Sequence, residues 1–188
     1  MSFKKKIIIT GGLGYIGTEL CKLYSGVSWH HKIIVIDNRF ISERVNQIRN
    51  WNMEFIQGDI LDKNLVNKYF KDADVVHHLA GITDVPRTKS ESSKFQDDKI
   101  KEVGENGTQN ILDIIKNDCK IIFPSTHVVY EGIGDVKKDI KENEITKPVL
   151  SYSSSKAVNE DQLKKSGKNY IILRLGSVYG YSTDSMRI

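Results

Sequence analysis

The sequence is short of nearly everything that marks a secreted, membrane-embedded or nucleic-acid-coating protein. Its 188 residues hold two cysteines, Cys21 and Cys119, too few for a disulfide framework, so both read as small buried hydrophobes. No apolar run approaches the ~20 residues of a membrane span. The short run after Lys4, Lys5 and Lys6 is no signal peptide and belongs to a first strand. A large excess of one charge is missing as well. The net charge is +4, and the lysines are spread over several segments instead of forming one block. That argues against nucleic acid as a partner and leaves a mild positive field suited to an anionic ligand. Internal repeats and low-complexity linkers are absent. What remains is one domain, expected in the cytoplasm, long enough to bury a real core.

What the chain does have is alternation. Short Val/Ile-rich runs at 5–10, 32–37, 53–57, 74–79, 120–125 and 170–175 read as strands. Longer amphipathic stretches near 14–26, 41–50, 62–71, 98–117 and 153–166 read as helices, the third with Asp62 as its N-cap. Strand–helix alternation of this kind implies parallel strands joined by right-handed crossovers, with helices on both faces. A continuous apolar strand such as Ile33 to Ile36 fits burial on both sides. The fold class is therefore α/β, a doubly wound parallel sheet over residues 1–188. Segment 131–150, polar and without pattern, reads as a surface excursion.

Thr10-Gly11-Gly12-Leu13-Gly14-Tyr15-Ile16-Gly17 joins the first strand to the first helix. Glycines at 11, 14 and 17 supply a tight turn and close backbone approach, and the following helix offers free N–H groups. That is where a dinucleotide pyrophosphate sits. Asp37 ends the next apolar run, twenty residues after Gly17, where a carboxylate accepts hydrogen bonds from ribose hydroxyls. A carboxylate there repels the extra phosphate of NADP and favours NAD. Arg39, two residues on, pulls the other way, since a nearby arginine accommodates a 2′-phosphate.

A second constellation comes later. Tyr152 and Lys156 are four apart on a helix and share a face, so the ammonium is expected to lower the phenol's pKa. Ser125 and Thr126 end the fifth strand, placing hydroxyls where open α/β sheets bind ligands. A hydroxyl, a tyrosine and a lysine converging there make an acid/base site for a carbinol–carbonyl pair. His77-His78 ends a buried strand without metal-ligand spacing, so it reads as a structural pair and no metal is expected.

These pieces in this order resemble the extended short-chain dehydrogenase/reductase family, specifically the NAD-dependent nucleotide-sugar epimerases and dehydratases. Besides the glycine turn, the resemblance rests on Asp37-Asn38, Gly58-Asp59-Ile60, His78-Leu79-Ala80-Gly81, Asn106-Gly107-Thr108, Ser125-Thr126, Tyr152-Ser153-Ser154-Ser155-Lys156 and the run from Arg174 to Gly180. It implies a Rossmann-type domain with Gly11, Gly14, Tyr15, Ile16 and Gly17 on the pyrophosphate. Asp37 and Asn38 hold the adenosine ribose, Asp59 and Ile60 bracket the adenine, and Leu79, Ala80 and Gly81 run beside the cofactor's centre. Tyr152 transfers the proton, Lys156 binds the nicotinamide ribose, and Thr126 is the catalytic hydroxyl that also meets the substrate. Ser177 falls where relatives contact the substrate phosphates. The implied cofactor is NAD, the implied substrate a UDP- or dTDP-linked sugar, and the implied assembly a homodimer through the helices at 98–117 and 153–166.

Departures from the family pattern select a branch. Dehydratases and decarboxylases carry a Glu two residues after the catalytic Thr, whereas Val128 stands here, so 4-epimerase chemistry is expected. A nucleotide-sugar reductase or dehydratase, or a non-catalytic NAD-binding module, is the alternative. His127 is a weaker candidate for a replacement acid. Gly104 stands where relatives have an Asn near the nicotinamide. The polar stretch 82–101 falls where a substrate-covering loop begins. Relatives continue beyond the last motif into a substrate-binding lobe, so that lobe is expected to be largely absent from these 188 residues, leaving apolar surface exposed.

Overall fold

The computed structural model describes residues 4–83, 91–134 and 139–180. Six parallel strands form a single sheet in the order β3-β2-β1-β4-β5-β6. They are β1 (Lys6–Thr10), β2 (Lys32–Asp37), β3 (Glu54–Gln57), β4 (Val75–His78), β5 (Lys120–Thr126) and β6 (Asn169–Leu175). The helices are α1 (Tyr15–Ser25), α2 (Ser42–Asn50), α3 (Lys63–Phe70), α4 (Lys94–Lys101), α5 (Gly107–Ile114) and α6 (Ser151–Lys165). All six expected strands and the doubly wound arrangement are present, the class of fold the alternation implied. The strand order reverses between β1 and β4, which opens the crevice at the carboxyl ends where such sheets bind ligands.

Alternation of side chains along the strands builds two cores. Ile8, Ile34, Ile36, Val76, Ile121 and Phe123 point to one face and pack with Val66 and Phe70 of α3, Ile111 and Leu112 of α5 and Leu163 of α6. Ile7, Ile9, Ile33 and Val35 point to the other and pack with Cys21 of α1 and Val45 and Ile48 of α2. Each fully buried Ile or Phe contributes about 1.5–3 kcal/mol of transfer free energy. Cys21 and Cys119 lie buried as free thiols, and burial pushes them up to about 12 and about 11. Asp62 caps α3 by accepting from the N–H groups of Asn64 and Leu65. On the outer strand β6, Ile171 and Leu173 are exposed, as are Val178 and Tyr179 beyond it.

One expected element differs. The helix anticipated at 98–117 starts at Lys94, passes through a π turn at Glu102–Asn106 and ends at Ile114. Two close approaches accompany the extra residue. A Cβ on Gly104 would stand 2.4 Å from Ser155 Oγ of α6, and one on Gly107 would stand 2.4 Å from Ile60 Cδ1. A π turn re-aims the helix so that both glycines meet their neighbours. Ile115 then turns extended and buries its side chain, ending the helix early. Segment 131–150 has no helix or strand among its described residues and is tied down by Gly132 N–H to Lys147 O and Lys147 N–H to Val129 O. Thr88, Lys89 and Ser90 of the expected covering loop, and residues 181–188, lie outside the described residues.

Candidate active site

The glycine turn is built by backbone geometry. Gly11 has φ +66°, and a Cβ there would meet the Ala80 backbone at 2.8 Å. A Cβ on Gly17 would lie 2.3 Å from Gly11 O, so the first turn of α1 presses on the loop as only glycine permits. α1 opens at Gly14 with no side-chain cap and no acidic residue in its first turn, leaving its positive end to an anion.

Two side chains fix Leu13 inside this loop. Asp37, at the end of β2, accepts from Leu13 N–H at 2.9 Å, and Arg44 of α2 donates to Leu13 O. Sequence reading assigned Asp37 to ribose alone and missed Arg44. The signal was there: Ile41, Arg44, Val45 and Ile48 share one helical stripe, and Arg44 is buried with it. A charged residue on an apolar stripe usually has a bound partner inside.

Next to the loop, Asn38 Nδ2 reaches Asp59 at 3.4 Å, and Asp59 accepts from Leu61 N–H at 3.0 Å. Asn110 of α5 donates to Ile60 O at 3.2 Å, holding that segment under the cleft. His78 sits between Thr10 and Thr108, 3.0 Å from each hydroxyl. Thr10 Oγ1 also accepts from Ala80 N–H, which leaves its proton for His78. Burial, and secondarily the charge of Lys156, pushes His78 down to about 3. His77 meets Tyr24 Oη at 2.8 Å, and burial pushes it down to about 4. Both are neutral structural histidines, as the sequence suggested. Among the described residues no group of three or more His, Cys, Asp or Glu is placed to hold a metal ion.

At the far end of the crevice, Ser125 and Thr126 diverge because successive strand residues face opposite ways. Ser125 donates to Glu160 of α6 at 2.7 Å. Thr126 Oγ1 accepts from Val128 N–H, which leaves its hydroxyl proton free to serve a ligand. Tyr152 lies in the first turn of α6, with Lys156 one turn on. Lys156 Nζ donates to Pro124 O at 2.9 Å and lies 4.4 Å over the Phe123 ring and 5.9 Å over that of Tyr152. The expected lowering of the phenol's pKa is not found. Burial pushes Tyr152 up, and burial pushes Lys156 down to about 8. Desolvation is the dominant cause for both groups.

A cleft of about 930 Å³ runs along the carboxyl ends of the strands. It is lined by Gly11, Gly14, Tyr15, Ile16, Gly17, Asp37, Asn38, Asp59, Ile60, Leu79, Ala80, Gly81, Thr126, Tyr152 and Lys156. The residues expected to hold the cofactor and do the chemistry are thus brought together. Ser177 is exposed and lines no part of this cleft, although Gly176 and Val178 on either side do. His127 is aimed elsewhere, at Leu175 O. With Val128 it lines a separate hollow of about 490 Å³. Gly104 faces Ser155 instead of the cleft, which Glu102 and Val103 line in its place.

The sequence also missed a network joining the catalytic elements. Glu160 is buried and accepts from Ser125, from Arg174 Nε and Nη2 at 2.8 and 2.6 Å, and from Lys164 at 3.3 Å. The spacing Tyr152, Lys156, Glu160 was the signal, one face of a helix read a turn further. Glu131 holds the start of the same helix, accepting from Val149 N–H, Leu150 N–H and Ser153 Oγ.

A model described as "NAD dependent epimerase/dehydratase family" matches residues 7–188. The chain belongs to this family. It is 31% identical over 199 residues to a dTDP-D-glucose 4,6-dehydratase of Dictyostelium discoideum, covering 95% of this chain and 45% of that protein. It is 34% identical over 186 residues to a putative UDP-glucose 4-epimerase of Methanocaldococcus jannaschii, covering 95% and 57%. Among solved structures, a UDP-glucuronic acid 4-epimerase from Bacillus cereus in complex with NAD matches with TM-score 0.76 and 29% identity, covering 93% of this chain and 57% of that one. The Bordetella bronchiseptica enzyme WbmH in complex with NAD+ matches with TM-score 0.77 and 27% identity, covering 94% and 57%. The chain spans about half the length of these epimerase/dehydratase-family proteins. Among the described residues no helix is long and apolar enough to cross a membrane.

Proposed function

We propose that this chain is the cofactor-binding and catalytic part of a nucleotide-sugar epimerase acting on a UDP- or dTDP-linked sugar with NAD. The observation that carries the reading is the convergence of Thr126, Tyr152 and Lys156 on the same cleft as the glycine turn. The residues present fit the cofactor. The uncapped end of α1 receives the pyrophosphate between Gly11, Gly14, Tyr15, Ile16 and Gly17. Asp37 and Asn38 take the adenosine ribose, Asp59 and Ile60 the adenine, Leu79 to Gly81 the central portion and Lys156 the nicotinamide ribose.

NAD, when bound, would supply a reversible hydride acceptor and a positive charge. Tyr152 Oη then removes the proton of a sugar hydroxyl and later returns it, while the Thr126 hydroxyl donates to the same oxygen as it becomes a carbonyl. Lys156, already close to the Tyr152 ring, stabilises the phenolate against the burial that pushes its pKa up. Once the keto-sugar has turned its other face to the cofactor site, Tyr152 Oη would give its proton back to the same oxygen, and the product is the epimer. Ser177, beside the cleft, is assigned to the substrate phosphates. The reading extends to a cytoplasmic location, which rests on composition, and to a homodimer, which rests on the family resemblance.

The test is incubation with UDP-glucose, UDP-glucuronic acid and dTDP-glucose, followed by ¹H NMR of the anomeric protons. Interconversion without net NADH consumption is expected, and Tyr152→Phe should slow it by about 10²–10⁴-fold while NADH still binds. Unaltered turnover in the Phe variant, or steady consumption of NADH, contradicts the epimerase assignment.

A further inference from the structure

The adenosine end of the cleft also contains a cation. Arg39 lines the cleft beside Asp37 and Asn38. Its backbone N–H and its Nε both donate to Asp37 Oδ1, at 3.0 and 3.3 Å. A Cβ built on Gly14 would lie 3.8 Å from Arg39 Nη2, so the guanidinium spans from the ribose carboxylate to the opening of α1. Its side chain is 44% exposed, against 4% for Asp37. Among the described residues, Asp37 is the only acceptor the Arg39 side chain has, leaving its two Nη groups without one.

Three consequences follow. The Asp37 carboxylate is nearly covered, and both its oxygens are engaged, Oδ2 by Leu13 N–H and Oδ1 by Arg39. Its charge is paired, which removes most of the repulsion an isolated carboxylate exerts on a neighbouring phosphate. And a guanidinium with unused Nη donors recognises a phosphate dianion through paired, charge-assisted hydrogen bonds. The other carboxylate at this end, Asp59, is itself engaged by Leu61 N–H and Asn38.

We propose that Arg39 is a specificity residue that accepts an adenosine 2′-phosphate, so that the chain binds NADP(H) as well as NAD(H). The proposal rests on the dinucleotide reading of the cleft and goes beyond it by assigning a second cofactor class and the residue that admits it. With NAD(H), Arg39 stays on Asp37 or swings away while the carboxylate takes the ribose hydroxyls. With NADP(H), it turns its Nη groups to the added phosphate.

The test is an equilibrium titration of the full chain with NADH and with NADPH, read by nucleotide fluorescence, for the parent protein, Arg39→Leu and Arg39→Lys. The parent should bind the two nucleotides within about tenfold of each other, and Arg39→Leu should weaken NADPH by about tenfold or more, the scale of one charge-assisted contact. NADH affinity should move by less than about threefold in Arg39→Leu, and Arg39→Lys should retain part of the NADPH affinity. The NADPH affinity should also fall more steeply with salt than that of NADH. Parent protein that binds NADH but discriminates against NADPH by more than about a hundredfold overturns the proposal and leaves the dinucleotide site standing. An equal loss of both nucleotides in Arg39→Leu overturns it too, because the arginine then only supports the loop. Binding of neither nucleotide to the parent overturns the dinucleotide site and the proposal together.

Discussion

Glu160 offers the sharpest test of how the catalytic elements are held. Its carboxylate joins β5 through Ser125, β6 through Arg174 and α6 through Lys164. The Glu160 side chain is 2% exposed and that of Arg174 13%. Glu160→Ala removes the acceptor for all of these donors and strands a largely buried guanidinium. Breaking a buried pair from one side costs about 3–5 kcal/mol. Arg174 keeps Tyr130 Oη and Glu142 O as partners, which places the loss near the lower figure, about 3 kcal/mol. For a domain of this size that lowers the melting temperature by about 6–12 °C. Glu160→Gln, which keeps the volume and one acceptor oxygen, should lose roughly half as much. Burial alone raises the Glu160 pKa, but the bonds from Arg174 and Ser125 hold it below the ordinary value. A depressed carboxyl stabilises the fold above the unfolded pKa and loses that contribution as pH falls through the folded one. The gap between parent and Glu160→Ala should therefore be full at pH 7 and close as the pH drops below about 4. Thermal melts followed by circular dichroism give both numbers. A shift of less than about 2 °C at pH 7, or a gap independent of pH, refutes this account of the network.

Three further outcomes are expected. Gly104→Ala should destabilise the fold by about 1–3 kcal/mol, because its Cβ would stand 2.4 Å from Ser155 Oγ; adding Ser155→Ala should restore most of the loss, and strict additivity in chemical denaturation contradicts the contact. Gly17→Ala should abolish NADH binding as read by fluorescence titration, since the new methyl group would sit 2.3 Å from Gly11 O; retained affinity places the pyrophosphate elsewhere. His77 and His78, pushed by burial down to about 4 and about 3, stay neutral in the fold at pH values where the unfolded chain binds protons. Stability should then fall as pH drops from 6.5 to 5, by at most about 2.7 kcal/mol per pH unit for the two together. A flat profile of denaturation midpoints across that window removes both histidines from the core.

Much of this was legible in the residues. Short apolar runs, most of them Val/Ile-rich and bounded by polar residues, marked every strand, because a sheet buried on both faces favours near-continuous apolar sequence. The glycine spacing and Asp37 located the cleft for the same reason, since close backbone approach leaves no room for substituents. Tyr152 and Lys156 were legible as a spacing on one helix face and Ser125-Thr126 as hydroxyls at a strand end, while the family resemblance singled out Thr126. Less visible was whatever depends on tertiary contact. The π turn at Glu102–Asn106 follows from how α6 and Ile60 crowd Gly104 and Gly107, which no local pattern encodes. Arg44 and Glu131 act through partners 31 and 18 to 22 positions away, and Glu160 reaches Arg174 and Ser125, 14 and 35 positions away. The direction of the Tyr152 pKa shift was misread because burial, the dominant cause, belongs to the folded chain and not to the Tyr–Lys spacing.

The central claim is that one cleft holds the dinucleotide with its reactive end at Thr126, Tyr152 and Lys156. A crystal structure of the full chain grown with NAD+ tests it most directly. The account expects the pyrophosphate at the Gly11–Gly17 turn, the adenine beside Asp59 and Ile60, and the nicotinamide ribose on Lys156. A dinucleotide lodged elsewhere, or a cleft that stays empty at saturating NAD+, contradicts it.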